Sequence, residues 1–380
     1  MATTEVLSGL ELTKWKKSFI QAYHRDSGFE PYMGKSEMDI IQIVSDLQTD
    51  GYTIRVPLVL DLLSDGVENN QRLSGREERL DQYYFDVQWK YFRHAVETNK
   101  FERDKSAVGM LEVKKPLLRS WAAEKIKYQL VDTFHSINGT KYSAASEATK
   151  DAWLAANADR VLFGNALGNN SANDHSAALA QIDATDDKLT AASVRLMKRV
   201  ARNAWPRIKP FKTGTQGREY YVCFTHPRCF RDLNNDTAIL AANRDARARE
   251  GSAMDKNPLF QDGDIIYQGI IFREIPELEV SRNSSSINAE TTLDNVGGSS
   301  IDVGANFLCG AQAISYVQKQ IATPITKKED DYGFVDGVGV EMAHGIAKTR
   351  WDNGDDEGGL SGVTKDFGMV TAYFAATPDT

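Results

Sequence analysis

The chain has 380 residues, with 45 basic and 53 acidic side chains, a net charge of −8 and three cysteines. A chain this long buries a core without disulfide or metal staples, and about two to three domains, or one elaborate one, are expected. The acidic balance argues against a dedicated nucleic-acid binder but leaves room for a local basic face. Three cysteines cannot build a disulfide framework, which points to a reducing, intracellular folding compartment. The first fifteen or so residues lack a basic stretch followed by an apolar one, so no secretory signal is expected. No apolar run approaches the roughly 18 residues that span a bilayer, so no membrane partner is expected either.

Residues 1 to about 45 read as an arm. Leu12, Trp15, Phe19 and Tyr23 recur at helical spacing among Lys14, Lys16 and Lys17, an amphipathic helix that Gly28 and Pro31 end. A second short helix is expected over Glu37 to Leu47, capped by Ser36. Tyr52 to Leu60 and Phe85 to Tyr91 then alternate apolar and polar residues with the period of a strand. The glycine-containing polar tip between them, with Asp65, Glu68, Arg72, Arg76, Glu77 and Glu78, is longer than an ordinary hairpin loop. The pattern is a projecting two-stranded ribbon, which is marginal in water until something covers it.

Residues 112 to 137 form the strongest helical pattern. Leu118, Ala122, Ile126, Leu130, Phe134 and Ile137 make one stripe, Pro116 suits the first turn, and Asn138-Gly139 stops the helix. Its length would be nearly 40 Å at about 1.5 Å per residue. A short helix is expected around Ala148 to Asn157. Another runs from Asp186 to about Trp205, with Asp186 and Asp187 favoured by the dipole at its start. Beyond it, Glu219 to Thr225 and Asp264 to Glu274 read as strands and Ala305 to Gln320 as a helix. Residues 281 to 304 read as a surface loop, and Val335 to Val340, His344 to Trp351 and Phe367 to Ala375 as strands. Helices and strands do not alternate regularly, so the class is α+β.

Chemistry-bearing patterns are sparse. Cys223, His226 and Cys229 have soft ligands at suggestive spacing, but Cys223 sits within the apolar strand Tyr220 to Phe224, and a strand end followed by a His-Pro turn is the simpler reading. There is no phosphate-binding glycine loop, nucleophile elbow or paired-histidine zinc motif, so no catalytic residue and no cofactor are assigned. Arg195, Lys198, Arg199 and Arg202, continuing to Arg207, Lys209 and Lys212, concentrate positive charge in an otherwise acidic chain. They read as a solvated helix end or as a face toward DNA or a neighbouring subunit.

Three segments together resemble the major capsid proteins of tailed bacteriophages, with the Hong Kong 97-type capsid fold, and within them a subgroup of short-tailed phages. The first is the ribbon whose tip holds Gly75, Arg76, Glu77 and Glu78 and which runs into the stretch from Val87 to Val96. The second is the long helix from Lys114 to Ile137. The third joins Tyr221 to Pro227, Phe230 and Leu233 with Asn257 to Gly269 and Ile271 to Glu277. The resemblance covers most of residues 40 to 375.

It implies an N-terminal arm (1–50), an extended β-hairpin loop (51–98), a peripheral domain (99–205 and 326–380) with a spine helix at 112–137, and an axial domain (206–325). It implies a structural protein, not an enzyme, that assembles with itself into hexamers and pentamers of an icosahedral head around double-stranded DNA. Such a shell is made in the host cytoplasm and becomes part of the virion. The implied inter-subunit contacts are the tip residues with Tyr83, Tyr84 and Phe92 where these face outward, and Trp15, Phe19 and Tyr23 of the arm. About 45 residues before the ribbon leave no room for a fused scaffold, so a separate scaffolding protein is expected, along with a portal protein and a cement or decoration protein. No lysine lies between Leu60 and Trp89, so nothing supports the Lys–Asn weld of some relatives. The alternatives are the shell of an encapsulating compartment, or a metal-dependent enzyme using Cys223, His226 and Cys229.

Overall fold

A computed structural model describes residues 29–44, 53–59, 66–77, 82–105, 110–213, 219–241, 265–278, 293–330, 334–351 and 365–378. The long helix spans Met110–His135. Its six-residue apolar stripe is buried throughout, with Leu118, Ala122, Ile126, Leu130, Phe134 and the following Ile137 each at most 2 % exposed. Asn138 and Gly139 then take φ of 49° and 79°, a left-handed pair that reverses the chain, while Ile137 and Thr140 exchange backbone hydrogen bonds. The start differs from expectation. The helix begins at Met110, so Pro116 lies inside it and not in its first turn. The proline and Leu117 are exposed.

The helix lies across two sheets. The first contains Met33–Gly34, Ile41–Val44, Ile314–Asp330, Val335–Lys348 and Lys90–Asn99, in that order. Trp121 meets His94 at 4.9 Å between ring centroids, and Gln129 Oε1 is 2.6 Å from His344 Nε2. The second is seven-stranded, built around Glu219–Thr225, Val303–Cys309 and Met369–Ala375. Phe134, near the helix end, packs on Phe224 and Phe307 at 5.1 and 5.4 Å. The opposite face of this sheet is covered by the helices Ala191–Asn203 and Pro227–Asn235, through Met197, Val200, Phe230 and Leu233 against Tyr221, Cys223, Leu308 and Phe374.

Burial on both faces explains one misreading. Ala305 to Gln320 is two strands, Val303–Cys309 and the start of Ile314–Asp330, not a helix. A strand covered on both sides shows no polar alternation, and its apolar run mimics a helical stripe. A turn separates the two strands. Gly310 there approaches the Lys209 carbonyl too closely for any side chain.

Other expectations shift for local reasons. Residues 37 to 40 form a turn in which Asp39 Oδ2 accepts from the Ser36 N–H and Ser36 Oγ from the Met38 N–H. The buried Ile41 then opens a strand, so the helix expected over 37–47 is absent from its described part. The helix expected from Asp186 starts at Ala191, with Thr190 and Ser193 capping it reciprocally. Asp187 is held in the preceding loop by the N–H groups of Asn165 and Asp183, and the carboxylate at the helix start is Asp236, 2.7 Å from the Ala191 nitrogen. The strand expected over 264–274 is a hairpin, Ile265–Tyr267 and Ile270–Glu274, because Gln268 and Gly269 supply the two positive φ angles of a tight turn. The divide expected at residue 205 does not coincide with the sheets. Val161–Phe163 and Met369–Ala375, both outside the 206–325 range, belong to the seven-stranded sheet, while Ile314 to Ile325 lies in the other.

A buried polar cluster ties the sheets together. Asp366 Oδ2 accepts from Lys348 Nζ and from Trp153 Nε1, each at 3.2 Å, and the Asp366 carbonyl accepts from Arg160. The side chains of Lys348 and Asp366 are 4 % and 5 % exposed. Removing one member of such a pair strands the other's charge. Asp366→Ala should therefore cost about 3–5 kcal/mol of unfolding free energy, read by urea denaturation. Arg202→Ala, which opens a surface pair with Glu219 at 2.7 Å, should cost under about 1 kcal/mol. Equal costs would refute this account of the cluster.

Candidate assembly surfaces

The ribbon consists of Thr53–Val59 paired antiparallel with Gln82–Gln88. Val56, Phe85 and Val87 form its buried side, packed with Val317 and Phe367 of the body. Its other side is open: Tyr84 is 45 % exposed, with the Arg55 guanidinium 3.8 Å from its ring centre and Asp86 3.0 Å from the same arginine. In the tip, Glu68, Arg72, Arg76 and Glu77 are all exposed. Its hydrogen bonds are local, Arg76 to Gln71 and Glu77 to the Gly75 N–H, both at 2.7 Å. Asp65 and Glu78 of the tip, and Trp15, Phe19 and Tyr23 of the arm, lie outside the described residues. Tyr83 lies in the ribbon strand. Phe92 does not face outward. It stacks on the buried His344 at 4.8 Å, on the side of the sheet that carries the long helix.

The basic stripe lies on the helix Ala191–Asn203. Three of its four cations are engaged within the subunit: Arg195 with Tyr267 Oη at 2.9 Å, Lys198 with the Gln268 carbonyl, and Arg202 with Glu219, which Arg207 also pairs. Glu219 was not singled out from sequence. Its signal there is a lone acid opening a strand, and only the fold brings two arginines to it. Arg199 is exposed and has no partner among the described residues.

The cysteine–histidine trio is not a metal site. Cys223 and Cys229 are fully buried, burial pushes each thiol up to about 12, and their donor atoms do not converge with those of His226. His226 is the cap of the helix Pro227–Asn235, its Nδ1 accepting from the Arg228 N–H at 3.3 Å. Among the described residues, the donor atoms that converge are those of Glu147, Asp151 and Asp174. The metal-dependent enzyme reading thus fails on geometry.

A ribbon open on one side, a long helix laid over two sheets and a basic stripe mostly satisfied within the subunit fit a structural protein. Comparison with known proteins agrees. The family model for phage capsid proteins matches residues 3–377. A curated major capsid protein of Pseudomonas phage KPP25 is 25 % identical over 97 % of this chain and 96 % of its own length. The capsid of cyanophage Pam1 superposes with a TM-score of 0.79 at 30 % identity, covering both chains fully. The capsid of Ralstonia phage GP4 shares the fold, with a TM-score of 0.67 at 18 % identity over 93 % of this chain and 92 % of that one. The chain belongs to the phage capsid protein family. Its function is that of a phage's major capsid protein, its fold is of the Hong Kong 97 type, and it is a component of the virion that associates with copies of itself.

Proposed function

We propose that this subunit forms the hexamers and pentamers of an icosahedral head enclosing double-stranded DNA, and that each copy lays its ribbon over a neighbour. The observation that carries this is the ribbon itself, with a buried root, an open outer side and an exposed tip whose Arg76 and Glu77 are bonded within the tip. A two-stranded ribbon is stable when a further surface covers it, and a second copy supplies one. Tyr84 with Arg55, and Glu68, Arg72, Arg76 and Glu77 at the tip, are the described residues assigned to that contact. The role is structural and non-catalytic, in keeping with the family.

Arg199 is the cation of the basic stripe available to DNA phosphates or to a neighbouring copy. The resemblance supports assembly in the host cytoplasm with a separate scaffolding protein, a portal and a cementing partner. Negative-stain microscopy of the purified full chain tests the central reading. Closed particles of uniform diameter are the expected result, and a persistent monomer at high concentration would overturn it.

A further inference from the structure

The ribbon joins the body at Trp89, between the ribbon strand Gln82–Gln88 and the sheet strand Lys90–Asn99. The last sheet pair there is Lys90 with His344, so Trp89 stands beside Gly345. Gly345 does not have the positive φ that would demand glycine, yet it has no room for a side chain. A methyl group built on it would overlap the Gln88 carbonyl oxygen and lie 3.1 Å from Trp89 Cα. The chain therefore climbs out of the sheet across the bare Gly345 backbone. A second feature fixes the same point. In the strand Ile314–Asp330 the register slips between Gln318 and Gln320, which bulges Lys319 out of the pairing with His344 and Ala343. A bulge re-aims its side chain, and here Lys319 Nζ lies 4.0 Å from the centre of the Trp89 ring, which Tyr91 meets edge-on at 5.3 Å.

We propose that Gly345 is a positioning residue for shell assembly: its missing side chain, with the Lys319–Trp89 clamp, sets the angle at which the ribbon leaves the subunit. The inference rests on the reading of the ribbon as an inter-subunit contact. The ribbon extends as a lever past its packed side on Val317 and Phe367, since its seven-residue strand is roughly 23 Å long at about 3.3 Å per residue and the tip lies beyond it. A small rotation at the root moves the tip far enough to miss its site on a neighbour. Because alanine adopts the Gly345 backbone conformation without strain, Gly345→Ala perturbs the root chiefly through its contact with Gln88.

The test uses the full chain. Its three native cysteines are buried, so spin labels at Gln71→Cys on the tip and Ala192→Cys on the body, diluted with unlabelled chain, report the ribbon angle within one subunit. Gly345→Ala should shift the mean label distance, leave the far-ultraviolet circular dichroism unchanged and abolish closed shells of wild-type diameter. An unchanged distance, or wild-type shells despite a shifted distance, overturns the proposal. If Gly345→Ala does not fold, Trp89→Ala, which adds no volume, decides. It should broaden the distance distribution, and an unaltered distribution counts against the clamp and the proposal. The underlying reading fails separately, if a chain without the tip still closes normal shells, and the distance measurement stands whichever way that result falls.

Discussion

A subunit whose residues 66–77 are replaced by a short glycine-serine turn should fold as the full chain does and close no shells. The deleted residues contribute no buried side chain. Among the described residues, Gln71 bonds to Glu68, Arg76 to Leu73 and Gln71, and Gly75 to Glu77, all within the segment. Removing them opens no cavity and strands no buried charge, the mechanisms that produce large destabilisation. The unfolding free energy should therefore change by only about 0.5 kcal/mol. Leu73 in this tip is 57 % exposed, and on the proposed reading it and the four tip charges are the groups assigned to a neighbour. Thermal melting and electron microscopy on the same preparation check both halves. Normal shells from the deletion would remove the ribbon from the assembly contact, whereas loss of the melting transition would show that the tip supports the fold.

Mild acid should destabilise the subunit steeply, through three histidines that the fold keeps neutral. Burial lowers His135 and His344 to about 3 and His175 to about 4. His135 lies edge-on to Phe307 at 4.9 Å, His344 is sandwiched between sheet and long helix beside Lys125, and His175 sits among Tyr142, Trp153, Phe163 and Tyr373. In the unfolded chain each takes up a proton near pH 6.5. Between that value and the lowered one, the unfolded state binds more protons than the folded state. Stability is then fully present above about pH 6.5 and falls with pH by about 1.4 kcal/mol per unit for each histidine. Over two units the three together reach roughly 8 kcal/mol, comparable with the whole stability of an ordinary domain. The carboxylates with lowered values, Asp159, Asp174 and Asp183, stabilise above the ordinary carboxylate range and lose that contribution only at lower pH. The histidines therefore dominate between about pH 6.5 and 4.5. Urea midpoints at pH 7.5, 6.0 and 5.0 measure the slope. His175→Phe, which keeps the ring in its aromatic surroundings, should remove about a third of it, and parallel slopes for the two proteins would show that His175 does not titrate as argued.

Periodicity located the elements whose two sides face different surroundings. The stripe from Leu118 to Ile137 and the alternation in the ribbon strands are legible because one side meets the core and the other meets water. Where both sides are buried, as in Val303–Cys309, that signal disappears and the strand was read as a helix. The ribbon around Gly75, the long helix from Lys114 and the strings around Tyr221 and Ile271 were sufficient to reach the family, and the irregular order of helices and strands the fold class. Candidate contacts were legible only as types: a charged tip is visible in sequence, but which of its charges is already satisfied is not.

Neighbours along the chain were enough to set a long one-sided helix, a ribbon too exposed to stand alone and a charged turn. Approach across the chain decided the rest: Glu219 pairs with two arginines, Asp366 receives a lysine and a tryptophan from different elements, and Gly345 lies against the ribbon's root. A side chain's partner is set by the path of the folded backbone, and residues 88 and 345 meet because Lys90–Asn99 pairs with Val335–Lys348.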